Sequence, residues 1–417
     1  MSKDKHIPQG YKESPLGIIP KEWEVKRLGE VCSKITDGTH DTPQKQDVGV
    51  PYLTAIHVKD GVIDYDNCYF LTQEDHNEIY QRCNPEFGDV LMVNIGAGVG
   101  AVAMNKVEYE FSLKNVALLK PNKEILTGYF LESYLLASKR KNIHRLLNGG
   151  AQPFFGLDDI ARIHILLPSL IEQNRLESII SLWDTAIKKQ SELIEKLKLR
   201  KRALMQQLLT GKKRLPGFSG EWKVQKIKDH FMQIEDRNDG KGHIPMTISA
   251  KYGLVSQKDK FDRVVAGNSL EKYTLLRKGD FAYNKGNSNL YEMGCIYRLK
   301  EESAVVPFVY ICFRTKDNTC SEFYKHFFIN HGLDSQLKRI ITSGARGDGL
   351  LNVNSEDFMS LKIPYPIIEE QEAIANILNS ADKEIELAIV KLESLQAQKR
   401  GLMQQLLTGK KRIKNIE

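Results

Sequence analysis

Residues 199–215 read LRKRALMQQLLTGKKRL, and residues 397–413 read AQKRGLMQQLLTGKKRI. Between Lys201 and Arg214, set against Lys399 to Arg412, only Ala203 and Gly401 differ. The offset, 399 − 201 = 198, holds without a gap back to Glu172/Glu370 and Gln173/Gln371. A period that long in a chain of 417 residues means two copies of one unit.

The repeated stretch ends a long amphipathic pattern. In the second copy Ile374, Leu378, Ala381, Ile385, Ala388, Leu392, Leu395, Lys399, Leu402 and Leu406 follow the alternating three-four spacing of a coiled-coil seam. Moved back by the offset, the seam reads Leu176, Ile180, Trp183, Ile187, Gln190, Ile194, Leu197, Lys201, Leu204 and Leu208. Each pattern predicts a helix of about 40 residues, roughly 60 Å long. So long and one-sided a helix needs a partner, and the matched seams make each the partner of the other. Lys201 and Lys399 share one slot, where a lysine either specifies register or snorkels out to solvent. Ser169 with Glu172 predicts a capping box at the first helix; Ile367 holds the equivalent place in the second, so that cap must differ. Gly211 and Gly409 are predicted stops.

Outward from the helices, the repeat includes domain starts. Ile19-Pro-Lys-Glu-Trp-Glu-Val and Leu215-Pro-Gly-Phe-Ser-Gly-Glu-Trp-Lys-Val each read as a short strand with a core Trp, Trp23 or Trp222. Residues 1–18 read as an extended lead-in. The middles diverge, with echoes. Phe87-Gly88-Asp89-Val90-Leu91 parallels Lys278-Gly279-Asp280-Phe281-Ala282, and Gly150-Ala151-Gln152 parallels Gly344-Ala345-Arg346. Helices are predicted over about 126–147 and 319–339, amid short strands and Gly/Asn/Asp loops. A varied middle in a repeated frame suits one scaffold holding two readers of different things.

The net charge of +7 and pI near 8.8 are compatible with nucleic acid without demanding it. The N-terminus MSKDKHIPQG lacks a signal-peptide core and no apolar run approaches a membrane span, so a cytoplasmic protein without membrane contact is expected. Cys32, Cys68, Cys83, Cys295, Cys312 and Cys320 show no metal-binding spacing and read as mostly buried free thiols. The turn Gly96-Ala-Gly98-Val-Gly100 lacks the dinucleotide spacing and is followed by a strand pattern, which excludes a helix-held phosphate. Asn84-Pro85-Glu86-Phe87 is one proline short of the amino-methyltransferase signature, and Thr210-Gly211-Lys212-Lys213 is no Walker loop. No catalytic, metal or cofactor-binding residues are expected in this chain.

The opening Pro20-Lys-Glu-Trp23-Glu-Val-Lys-Arg-Leu28-Gly29-Glu-Val31, the segment Gly149-Gly-Ala-Gln152, the run Leu167-Pro-Ser-Leu-Ile-Glu172-Gln173 and Leu204-Met-Gln-Gln-Leu-Leu-Thr-Gly211-Lys occur in order. Their second copies follow at Trp222-Lys-Val, Gly344-Ala-Arg346, Pro366-Ile-Ile-Glu-Glu370-Gln371 and Leu402 to Lys410. As an ordered pair of sets they make the chain resemble the specificity (S) subunit of type I restriction-modification systems. The resemblance implies an α+β chain of two mixed α/β target recognition domains, joined by two long helices paired as an antiparallel coiled coil in a pseudo-two-fold repeat. The expected division is 1–168, first recognition domain; 169–214, central spacer helix; 215–366, second recognition domain; 367–417, C-terminal spacer helix and tail. It further implies a non-catalytic DNA-reading subunit of a methyltransferase/endonuclease. Its partners would be double-stranded DNA, two methyltransferase subunits that use S-adenosylmethionine, and restriction subunits that use ATP and Mg. The alternative reading is an assembly scaffold or another nucleic-acid binder. Base edges are read by Arg, Lys, Asn or Gln on loops, which nominates Lys114, Asn115, Gln152, Asn284, Lys285, Asn287 and Arg346.

Overall fold

The computed structural model describes residues 7–96, 98–146, 154–261, 267–286, 291–341 and 351–413. Two helices of 39 residues, Leu170–Leu208 and Ile368–Leu406, begin and end 198 residues apart. Each is about 58 Å long at ~1.5 Å per residue. They divide their lengths between two compact units, residues 1–191 with 391–417, and residues 192–390.

In the first unit, Tyr11–Ser14 and Gly17–Pro20 form a hairpin, so the expected extended lead-in is folded. Strand Glu24–Arg27 pairs antiparallel with His164–Leu167, which runs into the first long helix. An antiparallel sheet has the strand order Val102–Met104, Val90–Val93, Val116–Pro121, Cys32–Asp37. Its inner strands Val90–Val93 and Val116–Pro121 are buried on both faces, which explains their continuous apolar runs. Val90, Met92, Ala117 and Leu119 face a core with Trp23, Phe130 and Leu131. Leu91, Val93, Val116 and Leu118 face a second core with Leu53, Phe111 and Leu113. The first core also takes Leu176 and Ile180 from one long helix, and Met403 and Leu406 from the other with Leu407 just past its end.

The second unit repeats the scheme. Lys223–Lys226 pairs with Lys362–Tyr365 ahead of the second long helix. The sheet order is Phe231–Gln233, Ile311–Thr315, Phe281–Asn284, Cys295–Arg298. Phe281, Tyr283 and Phe313 meet Phe323, Tyr324, Phe328 and Phe358 in one core, joined by Met205, Leu208, Ile374 and Leu378. Ala282 and Cys312 face the other. The helix Gly128–Leu146 fits the expected span; the helix expected over 319–339 is broken into Ser321–Ile329 and Asp334–Ile340. His331 turns the chain with φ +59, and Gly332 leaves no room for a Cβ against the Phe327 ring.

Within each unit the helix segments run antiparallel. Lys201 donates to Asp382 and Arg200 pairs with Glu384 in one; Lys399 donates to Asp184 in the other. All twenty seam positions are buried or half-buried. Among the deepest, Leu208 and Leu378 at 2% and 0% exposure and Ile180 and Leu406 at 1% and 4% lie where the helices also cover a domain core. Among the described residues no helix is long and apolar enough to cross a membrane. The six cysteines are free thiols.

His326 of helix Ser321–Ile329 is fully covered, and burial lowers its pKa from 6.5 to about 4, with the charges of Lys325 and Lys201 acting the same way and Asp382 opposing. Burial also lowers His57 and His230. Between 6.5 and about 4 the unfolded chain binds the His326 proton and the folded chain does not, so stability falls as pH falls through that window. Urea midpoints at pH 7.5 and pH 5 should therefore differ more for the wild type than for His326→Gln; equal differences would show that this imidazole carries none of the pH dependence.

Candidate nucleic-acid interface

Several repeated residues that the sequence could not explain hold the frame on which the loops stand. Gln173 and Gln371 are fully buried. Gln173 Oε1 accepts from the Thr127 N–H at 2.9 Å, and its amide donates to the carbonyls of Ile125 and Pro168. Gln371 Oε1 accepts from the Cys320 N–H at 2.9 Å, and its amide donates to Pro366. Each thus ties the start of a long helix to the start of the helix that covers the four-stranded sheet of its own unit.

Glu172 and Glu370 make the second tie. Trp23 Nε1 donates to Glu172 and Trp222 Nε1 to Glu370, both at 2.9 Å. Arg214 grips Glu370 with two bonds of 2.6 and 2.7 Å, and Arg412 grips Glu172 at 2.9 and 3.1 Å. The Glu172 carboxylate is therefore committed away from the cap. Only half of the expected capping box forms, the Glu172 N–H donating to Ser169 Oγ at 3.4 Å. Gly211 and Gly409, at φ +67 and +68, let the chain turn past each helix end and bring the arginines in. A Cβ on Gly409 would stand 2.4 Å from Pro20. Glu370 is 1% exposed and Glu172 15%, so losing the arginine strands the more deeply buried charge in the second unit. Arg214→Ala should cost about 3 kcal/mol and Arg412→Ala about 1–2 kcal/mol in urea unfolding; the reverse order would refute this account of the clasps.

The echoed turns are one device built twice. Gly88 and Gly279 take φ of +90 and +94. Asp89 accepts from the Glu86 N–H and Asp280 from the Arg277 N–H, at 2.8 and 2.7 Å. Each buried carboxylate then meets a cation from the neighbouring strand, Lys120 or Arg314, at 2.7 Å. Burial raises the Asp89 pKa against the pull of Lys120.

The nominated loop residues fall into three sets. Lys114 and Asn115 end strand Ser112–Lys114 and face the Thr39–Thr42 loop. Lys114 donates to Thr42 Oγ1; Asn115, at φ +54, holds His40 Nδ1 at 3.1 Å, and His40 reaches the buried Asp37 at 3.0 Å. Arg82 closes the chain on Asp37, beside a cleft of about 350 Å³ lined by Asp41, Asp75 and Glu78. His40, Asp37 and Arg82 lay outside the nominated set because their spacing in sequence carries no signal. Asn284 and Lys285 are brought together in the second unit, but half-buried. Asn284 Oδ1 accepts from the Gly286 N–H at 3.0 Å, and Lys285 donates to the Val353 carbonyl at 3.3 Å. Both side chains brace their loop. Gln152, Asn287 and Arg346 lie outside the described residues. Gly96, Gly98 and Gly100 take φ of +92, +91 and +82 and turn the chain into strand Val102–Met104.

Comparison with known proteins gives this frame a family. A chain named as the putative MjaX type I restriction enzyme specificity subunit of Methanocaldococcus jannaschii is 26% identical over 438 residues, covering 97% of each chain. The type I restriction enzyme MjaVIII specificity subunit of the same organism is 24% identical, covering 98% of this chain and 99% of that one. Among solved structures, a chain from a study of assembly and conformational transition in a type I restriction-modification system superposes with a TM-score of 0.58 at 14% identity, covering 94% of this chain and 99% of that chain. The S subunit of a type I system from M. genitalium gives 0.53 at 14% identity, covering 92% and 96%. The sequence model of the type I restriction modification DNA specificity domain matches twice, at residues 20–199 and 220–397. The chain therefore belongs to the type I restriction modification DNA specificity domain family, and carries that domain in duplicate.

Proposed function

We propose that this chain is the DNA sequence-recognition subunit of a type I restriction-modification complex. Each recognition domain reads one half of an asymmetric bipartite target, and the paired helices set the gap and dock two methyltransferase subunits. The chain itself is non-catalytic. S-adenosylmethionine belongs to the methyltransferase subunits, and ATP and Mg to the restriction subunits that join for cleavage. The observation that carries this reading is the duplicated family domain whose frame repeats while its loops do not. The Gln173/Gln371 ties and the two Asp-turn devices are common to both copies; the Lys114–Asn115 and Asn284–Lys285 loops are built differently. Two unlike readers on one frame call for two unlike half-sites.

The helix pair of the second unit carries an open groove of about 490 Å³ lined by Arg200, Leu204, Ile377, Ala381 and Glu384, which supports the docking role. The test is to reconstitute the chain with its methyltransferase subunits and map methylated adenines by sequencing. An asymmetric bipartite motif with one gap length is expected, and no methyl transfer by the chain alone. A single uninterrupted motif, or methyl transfer by the lone chain, would overturn the reading.

A further inference from the structure

The seam lysines have matched partners. Lys399 donates to Asp184 in one unit and Lys201 to Asp382 in the other, and the two aspartates are themselves 198 residues apart. The residue numbers sum to 583 in both pairs, as the 198-residue offset requires: one antiparallel contact is built twice, once in each unit.

Each aspartate also meets the helix that covers its recognition sheet. Tyr129, on Gly128–Leu146, donates its hydroxyl to Asp184 Oδ2 at 3.1 Å. In the other unit His326 Nδ1 stands 4.0 Å from Asp382 Oδ2, while His326 Nε2 and Lys325 Nζ both reach Asn379 one turn earlier, at 2.9 and 2.7 Å. Three elements therefore meet at each aspartate: its own long helix, the antiparallel segment of the other, and the recognition-domain helix.

We propose that Asp184 and Asp382 are positioning residues that fix the register of the helix pair and the seat of each recognition domain on it, and so restrict the permitted half-site spacing. This rests on the function proposed above. The leucines and isoleucines of the seam cannot do this alone, because a slip of one heptad sets apolar against apolar again. The lysines can. A heptad slip one way places Lys201 opposite Ala375 and Lys399 opposite Glu177; the other way places them opposite Ile389 and Ser191. The lysine side chains are only 17% and 20% exposed, so the first slip leaves Lys201, and the second leaves both lysines, with neither a facing carboxylate nor full hydration. The aspartates are nearly half exposed, at 45% and 49%, so the pairs contribute modestly to stability and chiefly to geometry.

Two measurements test this on the full chain. The first uses the reconstituted methyltransferase and a DNA library whose gap differs by one or two base pairs from the preferred length. Asp184→Asn and Asp382→Asn should raise methylation at wrong gaps relative to the right one by about tenfold, a change equivalent to about 1.4 kcal/mol. The half-site bases should stay the same. Asp184→Glu should recover discrimination, and Tyr129→Phe should lose part of it. A uniform fall in methylation with unchanged gap preference would mean a merely structural role and overturn the proposal. The second needs no DNA. Amide hydrogen exchange over 128–146 should quicken in Asp184→Asn while strands Val90–Val93 and Val116–Pro121 keep their protection. Unchanged exchange would overturn the proposal by itself. A wild-type complex without a bipartite target would instead strike the function on which the proposal stands.

Discussion

Complexes carrying one inserted heptad after Glu192 and another after Val390 are expected to methylate a target with a longer gap and unchanged half-sites. Insertions at these two points leave Lys201 with Asp382 and Lys399 with Asp184, each within its own unit, and the added heptads are expected to pair with one another. Seven residues keep the seam spacing and leave the Gln173/Gln371 ties and the Trp-Glu-Arg clasps where they are. Each helix grows by about 10 Å. Translation alone corresponds to about three base pairs at ~3.4 Å each, but each base pair also turns the groove by about 35°, so an increase of one to three base pairs is expected. An insertion at Leu209 would not do the same. That residue is 1% exposed in the core of the second unit, and the change would pull Arg214 from Glu370. Methylome sequencing reads the outcome; an unchanged gap in an assembled complex would show that the helix pair does not set it.

Leu406→Asp is expected to unfold the first unit at ordinary temperature. Leu406 is 4% exposed and shares a core with Trp23, Phe130, Leu176 and Ile180. Truncating such a leucine costs about 2–5 kcal/mol, and burying an unpaired carboxylate adds to it. That approaches the whole stability of a domain, about 5–15 kcal/mol. Leu395→Asp, at a half-buried seam position, should cost about 1–2 kcal/mol and leave an assembled complex. Urea unfolding and co-purification with the methyltransferase subunits distinguish the two. Equal losses would mean that the seam, and not the shared domain core, carries the stability.

The contrast between these two leucines marks what the sequence could show. The three-four spacing gives the helix, its length and its inward face, because helical periodicity is local. It does not say that Leu406 and Leu407 complete the core of the domain at the other end of the chain, because nothing in a repeat distinguishes its own copy from its partner. The offset of 198 already joined Glu172 to Glu370 and Gln173 to Gln371. Their tasks, holding Trp23 and Thr127 or Trp222 and Cys320, depend on contacts some 46 to 149 residues away. The loops were the least legible. Asn284 has the right chemistry to read a base, and its Oδ1 also accepts from the Gly286 N–H, a local bond that the residue type alone does not announce. Asn115 instead stands at the end of a chain through His40 and Asp37 to Arg82, which only folding assembles.

The central claim, two independent readers on one frame, is tested most directly by replacing the segment between Val31 and Leu166 with the corresponding middle of another family member. The exchange keeps strand Glu24–Arg27 and its pairing with Leu166 and Leu167, replacing only His164 and Ile165 of the partner strand, and it spares the Trp23–Glu172–Arg412 clasp. Base discrimination, about 1–3 kcal/mol per bidentate contact, is local to the groove that a loop enters. Methylated adenines are then mapped in a strain carrying the chimera. The predicted result is a target with one half-site replaced and with the other half-site and the gap retained; a change in both half-sites, with the complex assembled, would contradict it.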